Sequence, residues 1–217
     1  MTGTNRRTPI VADPEQLQDD PAFALPEGEP MGIEDIRDAL VIRERSIFLL
    51  TDPLGNAPAG NVQGFGIYRA DTRHLSSYDL TLNGTRPVML LSTAELGYAM
   101  EQVMTNPTLH QGDERDVTRG TIELRRQRVV ADVVEETLTL SNFNRFPVSL
   151  QLLYRFSADF ADIFDVRGYQ REHIGKTHAP ELSERAIVYR YTGVDGRERS
   201  TRIDFDQAPD YVDESSV

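Results

Sequence analysis

Along most of the chain the apolar positions recur with a period of two, the signature of strands with one face buried. Leu40-Val41-Ile42 and Ser46 to Thr51 are the first short β-type runs, followed by a loop over 52–61 rich in Pro, Gly and Asn. Leu80 and Leu82 then alternate with Asp79, Thr81 and Asn83, and Asn83-Gly84 supplies the pair of left-handed residues that a tight hairpin needs. That turn predicts Pro87 to Ser92 as the returning strand. Tyr98 to Thr105 is another strand, closed by Asn106-Pro107. Thr121 to Val130 and Val133 to Ser141 form two long ones around Ala131-Asp132, with Ile122, Leu124, Val134, Leu138 and Leu140 pointing inward.

The longest stripe is Val148, Leu150, Leu152, Tyr154 and Phe156, opposite Ser149, Gln151, Arg155 and Ser157. Ala186 to Tyr191 and Ser200 to Phe205 flank a turn at Val194-Asp195-Gly196-Arg197. Roughly ten strands and almost no helical periodicity predict an all-β fold, an antiparallel β-sandwich over residues 39–206. Residues 1–38 hold five prolines and little periodic apolar sequence. They are expected to be a disordered acidic tail, with at most one helical turn between Met31 and Ala39. Residues 207–217 are expected to form a second acidic tail.

Charge changes the picture less than its total suggests. Of the net −12, residues 1–38 contribute −6 and residues 206–217 contribute −4, so the folded part is close to neutral. No large basic face survives, which argues against nucleic acid as a partner. The chain has no Cys, so disulfides and thiolate metal sites are excluded. No apolar run approaches the ~20 residues needed to span a bilayer, and the N-terminus lacks a signal-type apolar region. No membrane association and a cytoplasmic location are expected.

Two stretches concentrate chemistry. Asp159-Phe160-Ala161-Asp162-Ile163-Phe164-Asp165-Val166-Arg167-Gly168 places three aspartates at intervals of three, two phenylalanines four apart and an Arg-Gly pair in ten residues. Tyr68-Arg69-Ala70-Asp71-Thr72-Arg73-His74-Leu75 repeats the mixture of acid, arginine and aromatic ahead of an alternating strand. Glycoside hydrolysis needs two carboxyls roughly 5–10 Å apart with one protonated, and Asp159, Asp162 and Asp165 could meet that distance. The structural alternative is that they pair with Arg167, Arg155 or Arg73 and cap backbone N–H groups where a strand ends. On that reading Phe160 and Phe164 pack one side of a turn onto the sandwich, and Asp71 with Arg73 clamps a loop. The two stretches are expected to meet at one end of the sandwich, with coupling between Arg73 and Asp165.

Other patterns resolve to the bland reading. Gly175-Lys176-Thr177 lacks the upstream glycine of a phosphate loop. His173 and His178 do not have helical ligand spacing, and no metal or other cofactor is expected. Arg125, Arg126 and Arg128 read as a solvated strand face. With no Trp, sugar stacking would fall to a tyrosine, Tyr169 being the best placed.

The stretch earlier in the chain, Tyr68 to Ser76, with its sequel Leu80-Thr81-Leu82-Asn83-Gly84, resembles the R-D-T-R-x-L-S … L-x-L-N-G pattern of a domain that precedes the catalytic region in bacterial glycogen debranching enzymes of the amylo-α-1,6-glucosidase type. The later stretch is similar to that domain's D-F-A-D-[IL]-F-E-V-R-G motif, with Asp165 in place of the usual Glu and Ala70 as a spacer before Asp71. The resemblance spans about residues 40 to 206. It implies a β-sandwich docked on an (α/α) toroidal domain that hydrolyses α-1,6-glucosidic branches, the catalytic carboxylates lying in that toroid. On this reading the chain is non-catalytic, its partner is the downstream domain in cis or trans, and α-glucan is a second partner to test. A free-standing carbohydrate-binding or protein-interaction module is the alternative, and a small hydrolase using the Asp159–Asp165 cluster is a third.

Overall fold

The computed structural model describes residues 37–110, 116–169 and 174–213. The expected tail of residues 1–38, and the helical turn expected near Met31, therefore lie almost wholly outside the described residues. In chain order the strands are β1 (Leu40–Glu44), β2 (Ile47–Thr51), β3 (Gly66–Arg69), β4 (Thr72–Leu75), β5 (Ser77–Leu82), β6 (Val88–Thr93) and β7 (Ala99–Thr105). They continue as β8 (Ile122–Val130), β9 (Val134–Asn142) and β10 (Leu152–Ser157). A one-turn helix α1 (Ile163–Val166) precedes β11 (Lys176–Thr177), β12 (Glu181–Ser183), β13 (Ala186–Thr192) and β14 (Glu198–Asp204).

Every pairing among them is antiparallel. One sheet runs β1-β2-β3-β4 and another β6-β7-β8-β9; β5 pairs with β10, and β13 is flanked by β11, β12 and β14. The layers meet in three apolar clusters. Ile42, Ile47 and Leu49 of the first sheet pack on Met100 and Val130 of the second. Leu82 of β5 packs on Met104, Ile122 and Leu124. Ile187, Tyr189 and Tyr191 of β13 close over Leu75, Phe156 and Phe160. Sheet stacked on sheet is the sandwich that the alternation predicts. Val212, within the expected C-terminal tail, also lies against this last cluster.

The turns follow local chemistry. Asn83 and Gly84 take φ of 47° and 72°, and Leu82 exchanges backbone hydrogen bonds with Thr85 across them, as expected. The returning strand is a correction: β6 pairs with β7, and the partner of β5 is β10. The reason is local. Hydrogen-bonded pairs alternate along an antiparallel ladder, so after Leu82–Thr85 the next would be Leu80–Pro87, and proline has no N–H to give.

Two other expectations shift. The ladder of β10 begins only at Leu152, while Val148 and Leu150 pack against the second cluster from outside any strand. Leu140 is 42% exposed on β9, the outer strand of its sheet.

Candidate functional site

The two chemistry-rich stretches come together, and backbone pairing holds them. Residues 70 and 71 form the two-residue turn between β3 and β4, with Ala70 at φ 51°. Immediately after it Thr72 bridges to Asp162, Arg73 N–H donates to Ala161 O at 2.8 Å, and Ile163 N–H donates to Asp71 O at 2.9 Å. The second stretch is thus stitched along the first. Arg73 Nη2 donates to Asp159 Oδ2 at 2.5 Å and its Nε lies 3.2 Å from both oxygens, with the Arg73 side chain only 13% exposed. Burial by itself would lower the Arg73 pKa, but the Asp159 carboxylate outweighs burial and raises it.

Each acid of the second stretch has a separate structural job. Asp159 closes the ion pair. Asp162 is the N-cap of α1, its Oδ1 accepting from Phe164 N–H at 2.9 Å. Asp165 completes a capping box by accepting from Asp162 N–H at 3.2 Å, so the shorter acid still reaches where a Glu is usual. Gly168, at φ 90°, ends the turn by donating to Asp165 O, and Tyr169 N–H donates to Phe164 O. Arg167 occupies the C-cap. Arg73–Asp159 is thus one of the pairings expected between these aspartates and Arg73.

Phe160 and Phe164 do not share a face, contrary to expectation. Phe160 adopts φ 50° before the helix starts, which turns its ring into the core, stacked 5.5 Å from Tyr191 and edge-on to His74. Phe164 stays 37% exposed and meets the half-buried Tyr169 ring in a T-shape at 5.9 Å. Burial lowers the His74 pKa, a hydrogen bond from its ring to the Ser200 backbone opposing the shift. Among the described residues no group of three or more His, Asp or Glu is placed to hold a metal ion; His173 lies outside them. Lys176 and Thr177 form strand β11, not a phosphate loop.

A second cluster overturns the reading of Arg125, Arg126 and Arg128 as a solvated face. Only Arg125 faces outward, paired with Glu101. Arg126 and Arg128 are fully buried, in phase with Ile122, Leu124 and Val130 on the inner side of β8. Both direct Nε at one oxygen of Glu136 on β9, at 2.7 and 2.5 Å. Tyr78 OH donates to that same oxygen at 2.8 Å, and Tyr154 OH to the other at 2.5 Å. Arg128 also lies over the Tyr78 ring, 4.2 Å from its centroid.

The loop after β2 seals this cluster. Arg126 Nη1 donates to Asn56 Oδ1 at 2.6 Å and Arg128 Nη1 to Gly55 O, with Gly55 at φ 75°. Burial would raise the Glu136 carboxyl, but the two guanidiniums and the Tyr154 hydroxyl prevail and hold it at about 2. Burial, then the Glu136 charge, pushes the Tyr78 phenol up to about 12. With its carboxylate ionised, accepting from four donors and only 10% exposed, the cluster is a structural lock, although the buried Nη2 of each arginine makes no hydrogen bond. The signal for it in the sequence is the i, i+2 phase of two arginines within an apolar alternation.

Fold and site together define an all-β domain in which Asp159 pairs with Arg73 while Asp162 and Asp165 form the capping box of α1. Residues 42–217 match the family described as the N-terminal domain of (some) glycogen debranching enzymes, and the chain belongs to that family. Among curated proteins, none matches it. No helix among the described residues is long and apolar enough to cross a membrane.

Proposed function

We propose that this chain is a non-catalytic β-sandwich of a glycogen-debranching-type glycosidase, whose signature end docks on a downstream catalytic domain and shapes access to it. The observation that carries the reading is the occupation of the three aspartates of the Asp159–Gly168 stretch. Asp159 is held by Arg73, Asp162 caps α1 and Asp165 reaches back to Asp162, so none stands ready as a proton donor facing a second carboxylate. What the signature leaves on the surface is Phe164, Arg167 and Tyr169 around a capped one-turn helix, beside Asp71 in the β3–β4 turn. A partly aromatic knob of this kind suits a docking element.

The test is the mass of the native protein in its source cells, read with an antibody to this domain. A band far above 24.5 kDa supports a domain within a larger enzyme; a band at that mass removes the in-cis form of the reading. In the larger enzyme, Phe164→Ala with Arg167→Glu is expected to reduce branch-point hydrolysis without unfolding the sandwich. A second reading is direct glucan binding, favoured by the Tyr169 and Phe164 ring pair. Titration with a soluble α-glucan, repeated on Tyr169→Ala, separates it from the first.

A further inference from the structure

Two hairpin turns stand side by side at one end of the β1–β4 sheet. Arg45 and Ser46 join β1 to β2, Ala70 and Asp71 join β3 to β4, and Ala70 N–H donates to Ser46 O at 2.7 Å. Each turn holds one residue in left-handed backbone, Arg45 at φ 52° and Ala70 at φ 51°. Neither residue type takes that conformation freely. The turns and β1 border an open cleft of about 370 Å³, lined by Val41, Arg43, Arg45, Phe48, Ala70 and Asp71. That volume falls in the range of small-ligand sites, about 300–1,000 Å³.

The cleft has an aromatic side and a polar rim. Phe48 is half-buried, with Tyr68 flat against one face of its ring at 4.4 Å and 4° between planes. Tyr68 is itself fixed by donating to Gly64 O at 2.6 Å, so the stack is a supported platform. Around it, Arg43 and Asp71 are exposed and make no ion pair or side-chain hydrogen bond among the described residues. Arg45 stands at the rim, in exposed pairs with Glu44 and Asp132 that a ligand can displace at little cost.

We propose that this cleft is a subsite for an α-linked glucan chain, with one glucose ring laid on Phe48. A glucose ring has an apolar C–H face and a rim of hydroxyls. The face suits Phe48 and Val41, and the few polar groups around them suit the rim. Each hydroxyl can donate and accept, so one ring edge can bond both the Arg43 guanidinium and the Asp71 carboxylate. Other ligands leave something unmet. An anion would face Asp71 as well as the arginines. A purely apolar segment would strip water from three charges and return no hydrogen bond.

That the sugar is an α-glucan rests on the proposed function, and the position agrees with it. Asp71 lines the cleft while its carbonyl accepts from Ile163 N–H of α1, so a chain held on Phe48 lies beside the face proposed to dock. Phe164 and Tyr169 are not among the residues that line the cleft.

The experiment is titration of the whole chain with maltoheptaose, read by amide shifts and calorimetry. Saturable shifts at Arg43, Ser46, Phe48 and Ala70 are expected. Arg43→Ala and Asp71→Ala should each weaken binding about tenfold, the worth of one hydrogen bond to a charged group, and Phe48→Ala should abolish it. Should Phe48→Ala disturb the sheet, the two exposed positions still decide the matter. Tyr169→Ala should leave the affinity unchanged. Shifts confined to the surroundings of Tyr169, no shifts at all, or full affinity in both Arg43→Ala and Asp71→Ala overturn the proposal. So does inorganic phosphate that moves the same amides at a lower concentration than maltoheptaose, because the cleft would then be an anion site. A native band at 24.5 kDa would remove the in-cis enzyme and not the cleft, whereas failure here leaves the docking reading standing.

Discussion

The two arginine–carboxylate clusters of this domain are made from the same side chains and do opposite things with them. At the signature end, Arg73 and Asp159 meet at a half-open edge, where each acid also answers a local backbone need. Between β8 and β9, Arg126 and Arg128 face the single acid Glu136 in a sealed interior, with no other acid in the contact. Energetically the difference lies in what remains when one partner is removed. Water can reach the first site and solvate the survivor; at the second, two positive charges would stay buried with nothing opposite them. A motif dense in charge can therefore matter less to stability than two arginines hidden in an ordinary-looking strand.

The strongest test of that contrast is Glu136→Gln. It should cost about 3–5 kcal/mol, the usual range for breaking a buried pair from one side, measured by urea unfolding. Acid offers a second route to the same quantity. The folded Glu136 titrates at about 2, below its ordinary 4.5. Its stabilisation is therefore complete above about pH 4.5 and is lost as pH falls through about 2, on the order of 3 kcal/mol in all. The gap between wild type and Glu136→Gln should close over that acid range and stay constant from pH 5 to 8. A gap independent of pH would mean that Glu136 is not the charge that holds the two arginines.

Gly55→Ala probes the lid over the same cluster. The residue sits at φ 75°, and an added Cβ would lie 2.6 Å from Gln102 Oε1 and 3.2 Å from Arg128 Nη1. A loss of about 2 kcal/mol is expected; a silent substitution would show that the loop does not seal the arginines. At the signature end, a double-mutant cycle on Arg73→Ala and Asp159→Asn should give a coupling of about 1–2 kcal/mol. The same cycle with Asp165→Asn should give near zero, because Asp165 bonds the Asp162 N–H. The smallest effect belongs to Asp162→Ala, about 1 kcal/mol for the lost cap, seen as faster amide exchange in α1. If Arg73→Ala proved costlier than Glu136→Gln, the contrast between the clusters would be reversed.

Much of this was legible in the chain itself. Alternation located nearly every long strand, because a strand buried on one face must repeat its apolar side chains every second residue. Asn83 and Gly84 announced their turn, because few other residues tolerate left-handed backbone there. The meeting of the two signature stretches was foreseen from their matched content, yet the actual contact, Arg73 to Asp159, depends on strand register, which composition does not encode.

Tertiary structure alone decided the rest. Whether β5 paired with β6 or with β10 turned on one missing N–H at Pro87 and on which strand the packing brought alongside. Arg126 and Arg128 looked like surface residues because charge is normally excluded from cores. They are buried here because Glu136, Asn56 Oδ1 and the Gly55 carbonyl arrive from other parts of the chain to accept from their Nε and Nη1 groups, while Tyr78 and Tyr154 hold Glu136 in place. Local sequence sets the period, the caps and the turns, which depend on neighbours a few residues away. The strand partners, and the fate of a charge, depend on neighbours that only the folded chain supplies.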